Sequence, residues 1–173
     1  MTLHEMVLVH YSDRPLTVVK SASNIANIGM RPKGLWVSVD NCPDNWADWC
    51  RAEQQFLETL QFPTRILLRP DVNILVLDTT KAIMEFHRKY AVPRTVVEKF
   101  QDINWELVAG AHEGIVIAPY DWNLRMKLHW YYGWDAAAGV IWTPRAVASV
   151  GTPKASAELS NLRTRRFRDT EQP

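Results

Sequence analysis

A succession of short apolar runs, each closed by proline or a polar turn, constrains this chain more than any other feature. Residues 5–11 (EMVLVHY) stop at Ser12-Asp13-Arg14-Pro15, and residues 34–39 (GLWVSV) are entered through a Pro32-Lys33-Gly34 turn. Further runs lie at 65–69 (RILLR), 72–78 (VNILVLD), 113–118 (EGIVIA), 139–142 and 146–150. Their length and their β-branched, aromatic content are those of strands. RILLR and VNILVLD, separated by Pro70-Asp71, read as a strand pair, and 139–142 with 146–150 as another. Helical spacing is confined to a few segments. One follows Asn41 or Asp44, either of which can cap it, and carries Trp46, Trp49, Cys50, Phe56, Leu57 and Leu60 as far as Pro63. A second starts at Asp78 or Thr79, turns Ala82, Ile83, Phe86 and Tyr90 inward and ends by Pro93. Residues 94–109 read as helical pieces broken near Asn104, and 16–32 show no clear period. Strands flanking helices without strict alternation predict an α+β fold rather than a doubly wound parallel sheet.

With 173 residues, 47% apolar and 23% charged, the chain has the size and composition of one domain, placed at 1–150. Residues 151–173 form a polar tail whose Lys154, Arg163, Arg165, Arg166 and Arg168 make it the basic part. A net charge of +1 steers the molecule toward neither nucleic acid nor anionic membrane. Cys42 and Cys50 are too few for a disulfide framework, and their spacing is not that of a zinc site, so no metal is expected. No secretory leader and no run of membrane-spanning length stand out, which predicts a cytoplasmic protein without a membrane partner.

Eight tryptophans serve equally as core or as walls for flat ligands. Three segments then suggest chemistry. Val9-His10-Tyr11-Ser12 is a polar cluster closing the first strand. Lys33-Gly34-Leu35-Trp36-Val37-Ser38 precedes the helix with Trp46 and Trp49. His112-Glu113-Gly114 places a carboxylate at the mouth of an apolar strand. Singly, each is ordinary: a structural histidine, core tryptophans, a solvated strand end.

In this order the three segments resemble the signature of ADP-ribosyltransferases of the diphtheria-toxin and poly(ADP-ribose) polymerase type. That signature has a His ending the first strand, an aromatic inside a Gly-hydrophobic-aromatic-hydrophobic-small strand, and a Glu opening a later strand. The corresponding residues are His10, Trp36 within Gly34-Leu35-Trp36-Val37-Ser38, and Glu113. Tyr11 stands where many relatives have Gly, and Trp36 where Tyr is usual. The resemblance implies a split β-sandwich with flanking helices and NAD as co-substrate. It also implies transfer of ADP-ribose to a protein or nucleic-acid acceptor, as in small toxins or phage-encoded modifiers of host machinery.

Glu113 would stabilise the oxocarbenium-like ribose as the nicotinamide bond breaks, with His10 positioning the adenosine-side ribose. Trp36 and Trp49 would stack on nicotinamide. Tyr11 and Ser12 would line the same pocket, and Arg31 and Lys33 would meet the pyrophosphate. His129-Trp130-Tyr131-Tyr132-Gly133-Trp134-Asp135 is a second aromatic constellation that could line the acceptor side, and Asp135 is the alternative carboxylate. Two other functions fit the same residues: an NAD glycohydrolase with water as acceptor, and a non-catalytic module whose tryptophan-lined cleft grips a peptide or nucleotide.

Overall fold

The computed structural model describes residues 1–20, 27–93 and 100–152. It shows an α+β architecture built on one large mixed sheet. Its strands are β1 (Leu8–His10), β3 (Leu35–Val39), β4 (Thr64–Leu68), β5 (Ile74–Leu77), β8 (Gly114–Ile117), β9 (Ala138–Ile141) and β10 (Val147–Gly151), in the order β10-β4-β1-β3-β9-β8-β5. A smaller sheet pairs β2 (Ile28–Gly29) and β6 (Ala91–Pro93) on either side of β7 (Gln101–Asn104). The helices among the described residues are α1 (Trp46–Glu53), α2 (Thr80–Tyr90) and α3 (Trp105–Ala111), with 3-10 turns at Leu57–Gln61 and Trp130–Gly133.

All neighbours in the large sheet are antiparallel except β5 and β8, which run parallel with Ile74 opposite Gly114. Parallel neighbours need a crossover rather than a hairpin. Here the crossover carries α2, β6, β7 and α3. β8 and β9 are buried along their whole length, which is why GIVI and AGVI read as continuous apolar runs instead of alternating ones. Two glycines permit this close packing. A Cβ on Gly34 would stand 2.6 Å from Val140 Cγ1 and 2.7 Å from the Ile141 carbonyl, and one on Gly139 would stand 2.7 Å from the Ile115 carbonyl.

Both expected strand pairs are corrected. RILLR forms β4 and the ILVL segment forms β5, but they lie far apart in the sheet, β5 at one edge and β4 next to the other. β9 is central, whereas β10 is an edge strand on β4. Apolar runs specify a strand but not its partner. The Pro70-Asp71 turn could not close a hairpin because β5 takes its hydrogen bonds from β8, with Glu113 N donating to the Asn73 carbonyl at 2.8 Å.

The long helix expected to reach Leu60 is broken. Gln54 and Phe56 adopt left-handed backbone conformations (φ 54° each) that end α1 and begin the 3-10 turn. In place of helix before Asn104 there is strand β7, and Asn104 caps α3 by accepting from Leu107 N at 3.3 Å; residues 94–99 lie outside the described residues. α2 begins at its Thr79 cap and buries Ile83, Phe86 and Tyr90 as expected. Residues 153–173, the basic tail, lie outside the described residues. Among the described residues no helix is long and apolar enough to cross a membrane, and no group of three or more His, Cys, Asp and Glu converges as a metal site would.

Tryptophan dominates the core. Trp105, Trp130 and Trp134 are almost wholly buried and touch one another with ring centroids 6.2–6.4 Å apart. Buried indole N–H groups need acceptors. Trp105 donates to the Gly29 carbonyl at 2.9 Å, Trp130 to His87 Nδ1 at 3.2 Å and Trp142 to the His112 carbonyl at 2.6 Å. Trp134 Nε1 has no partner.

Candidate functional site

Strand alternation decides which of the sequence candidates can meet. Val9 lies opposite Ser38, Trp36 opposite Val140 and Ser38 opposite Ala138. Successive side chains point to opposite faces, so Val9, Trp36, Ser38 and Ala138 share one face, and Tyr11 joins them. Over that face α1 is docked by its first turn. Ser38 Oγ accepts from Trp46 N at 3.1 Å, and the Asn45 side chain caps the helix by accepting from Asp48 N at 3.0 Å. A cleft of about 200 Å³ is left between helix and sheet, lined by Tyr11, Arg31, Trp36, Ser38, Trp46, Thr59 and Trp134 among others.

The walls are aromatic. Trp36 and Trp134 meet at 5.0 Å between centroids. Trp46 lies on Trp49 at 5.1 Å and 13°, and Phe56 flanks both. Trp49 thus backs the wall that Trp46 presents, a step removed from the lining. Tyr11 donates its hydroxyl to Asp40 Oδ2 at 2.6 Å; burial and this carboxylate raise its pKa well above that of an ordinary phenol. Trp134 belongs to the same lining, but its unpartnered Nε1 is buried out of solvent reach.

The cleft mouth is charged. Arg31 stands 5.7 Å over the Trp36 ring and donates through Nε to the Gly133 carbonyl. Its Nη2 meets Asp135 Oδ2 at 2.7 Å, and Arg125 Nη2 meets Asp135 Oδ1 at 2.7 Å. Asp135 follows the cleft residue Trp134 directly, and its left-handed backbone (φ 59°) carries the chain from the 3-10 turn toward β9. Beyond Asp135, Arg125 lies 4.8 Å from the Tyr132 ring and 5.4 Å from the Trp122 ring.

The sequence candidates therefore divide. Tyr11, Trp36 and Arg31 line the cleft, with Trp49 behind Trp46. His10 closes β1 on the opposite face, where its Nδ1 is 2.8 Å from the Trp36 carbonyl oxygen; it steadies the strand that carries Trp36. Ser12 turns inward on its own loop, with Oγ donating to the Arg14 carbonyl at 2.6 Å, and Lys33 is exposed in the turn before β3. Glu113 does not join the others. Strands β3 and β9 separate β8 from β1, about 14 Å at the usual strand spacing. Glu113 instead accepts from Asn73 N at 3.0 Å and Arg145 Nε at 2.6 Å, in a polar recess with Arg69 and Asp71. The Asn73 amide, together with Arg145, holds its carboxyl below the usual glutamate range. This is the bonding of a carboxylate that pins the start of β5 to that of β8.

Sequence reasoning placed Trp134 in a segment that could line the acceptor side, but it did not find Trp46 as a lining residue or Arg125 as a partner of Asp135. The only available signal was their density of aromatic and cationic side chains. Comparisons with protein-family models, curated proteins and solved structures returned no match for this chain.

Proposed function

We propose that this protein cleaves the nicotinamide–ribose bond of NAD and transfers ADP-ribose to a macromolecular acceptor, with Asp135 as the carboxylate beside the reacting sugar. The observation that carries this reading is a carboxylate, Asp135, paired at 2.7 Å with Arg31, a residue that lines a small aromatic cleft. At about 200 Å³ the cleft is below the range of about 300–1,000 Å³ for drug-sized ligands, so it admits nicotinamide and not the whole dinucleotide. Trp36, Trp46 and Trp134 supply aromatic walls for a cationic pyridinium.

When the C1′–N bond breaks, its electron pair leaves with nicotinamide and positive charge grows on the ribose. A fixed carboxylate stabilises that charge more than the ground state, which is the condition for catalysis. An acceptor nucleophile then bonds to C1′ and gives up its proton. The α+β sheet, in which β1, β3 and β9 are neighbours, is compatible with an ADP-ribosyltransferase-like split sandwich: the strand ending in His10, the strand carrying Trp36 and the strand after Asp135 lie side by side.

The test is nicotinamide release from NAD, with cell lysate as a source of acceptors. Asp135→Asn is expected to slow release by about 10²-fold or more, Trp36→Ala to raise KM, and Glu113→Gln to stay within a few-fold of wild type. Full activity in Asp135→Asn overturns the assignment of the carboxylate. Lack of NAD turnover under every condition overturns the enzyme and leaves a ring-binding module. Product that carries ADP-ribose only when lysate is present separates transfer from hydrolysis.

A further inference from the structure

On the reading above the cleft takes one ring, and the remainder of a dinucleotide would lie outside it. We propose that the purine base of the nucleotide binds on the exposed Trp122–Arg125–Tyr132 platform, with the diphosphate spanning Arg31 and Arg125; this rests on the NAD reading above. The contacts form a continuous chain: Trp36, Arg31, Asp135, Arg125, then Tyr132 and Trp122. Two cations about a central carboxylate lie between the cleft ring and a second pair of rings, as the riboses and diphosphate lie between the two bases of a dinucleotide.

Several features make the platform a base site rather than stray surface aromatics. Trp122 and Tyr132 are 48% and 49% exposed, each with the Arg125 guanidinium against its ring, so a flat base can stack on the open side. The loop beneath is anchored. Asp121 accepts from Thr80 Oγ1 at 2.6 Å and from Asn123 N at 3.0 Å, and its own amide donates to Tyr131 Oη at 2.8 Å. Tyr120 packs edge-on to Trp122 at 4.9 Å and stacks on Tyr131 at 5.0 Å. Arg125 is held by the Tyr120 hydroxyl at 3.3 Å as well as by Asp135.

Charge favours this path over the groove on the other side of Arg31. That groove is lined by Asp102, a buried carboxylate with His129 Nε2 at 3.7 Å, and Arg31 is the one guanidinium among the described residues lining it. On the proposed path two guanidiniums face one carboxylate, so the local charge is positive and suits an anion. Adding two phosphate charges leaves the mouth negative, the polarity that a developing oxocarbenium needs.

The experiment titrates ADP, a probe without nicotinamide, into wild type and into Trp122→Ala, Tyr132→Ala and the double variant. Near-UV circular dichroism checks that these surface changes leave the fold intact. ADP is expected to bind wild type, each single change to weaken binding about tenfold, and Trp122→Phe with Tyr132→Phe to restore most of it. KM for NAD should rise by the same factor in the alanine variants. Equal ADP affinity in wild type and the double variant overturns the platform even if NAD is still cleaved. Ring-dependent ADP binding without NAD cleavage upholds the platform and removes the enzyme reading. No ADP binding to wild type overturns the platform outright.

Discussion

Trp130 donates its indole N–H to Nδ1 of His87 at 3.2 Å, so that nitrogen must carry no proton in the folded protein. Burial lowers the His87 pKa from its usual 6.5. The unfolded chain therefore binds more protons below that value, and stability falls as pH drops through 6.5 toward the lower folded pKa. Chemical denaturation at pH 8 and pH 5.5 should show a lower midpoint at the acid end. His87→Gln, whose amide oxygen accepts without titrating, should flatten the difference; an unchanged pH dependence in that variant would remove His87 as its source. A second residue-scale expectation concerns Cys50, which is fully buried and whose thiol is pushed up to about 11 by burial. It should resist alkylation at pH 8 in the native state and react on unfolding, as mass spectrometry after iodoacetamide treatment would show. At this scale the candidates Tyr11, Trp36 and Arg31 were legible because they flank a strand end. Glu113 shows the limit of this, since a carboxylate opening an apolar strand looks the same whether it faces a ligand or, as its bonds to Asn73 N and Arg145 Nε show here, anchors a neighbouring amide.

The element that makes the cleft is α1. Its amphipathic spacing was visible, but Asn45, and neither Asn41 nor Asp44 as expected, supplies the capping oxygen. Asn45 also donates to Asp48 Oδ2 at 2.7 Å and is buried. Asn45→Ala should destabilise the protein by about 1 kcal/mol, the usual value of an N-cap. It should also loosen Trp46 over the cleft, read as reduced Trp fluorescence quenching by a bound nucleotide. Loss of stability with ligand affinity unchanged would show that the cap does not position the wall. The early end of α1 was not legible, because glutamine and phenylalanine rarely take left-handed backbone and nothing local requires it of Gln54 and Phe56. Strand pairing shows the same limit. The runs that form β4 and β5 were read as neighbours because a turn joins them, yet partners are chosen by which faces must be buried and not by proximity along the chain.

Across the whole molecule, one core joins the elements. Phe86 of α2, Trp105 of α3 and the buried Trp130 and Trp134 make ring contacts at 5.0–6.4 Å that end at Trp36 in the cleft. Cleft geometry and global stability are thereby tied together. Gly139 sits where β3, β9 and β8 pack closest, and a Cβ there would strike backbone on β8. Gly139→Ala is expected to destabilise by about 1–3 kcal/mol through overpacking and to lower nucleotide affinity with it. A wild-type denaturation midpoint in that variant would show that the sheet relaxes around the added methyl.

By itself the sequence determined that the chain forms short strands and few helices and that α2 buries Ile83, Phe86 and Tyr90. These follow from local rules: strand composition, the helical repeat and cap chemistry act over a few residues. Only the tertiary structure decided the strand order, the face on which His10 and Trp36 part company, and the meeting of Arg31, Asp135 and Arg125. Those contacts join residues up to 104 positions apart. They depend on the summed burial of a whole sheet, which no local run of residues encodes.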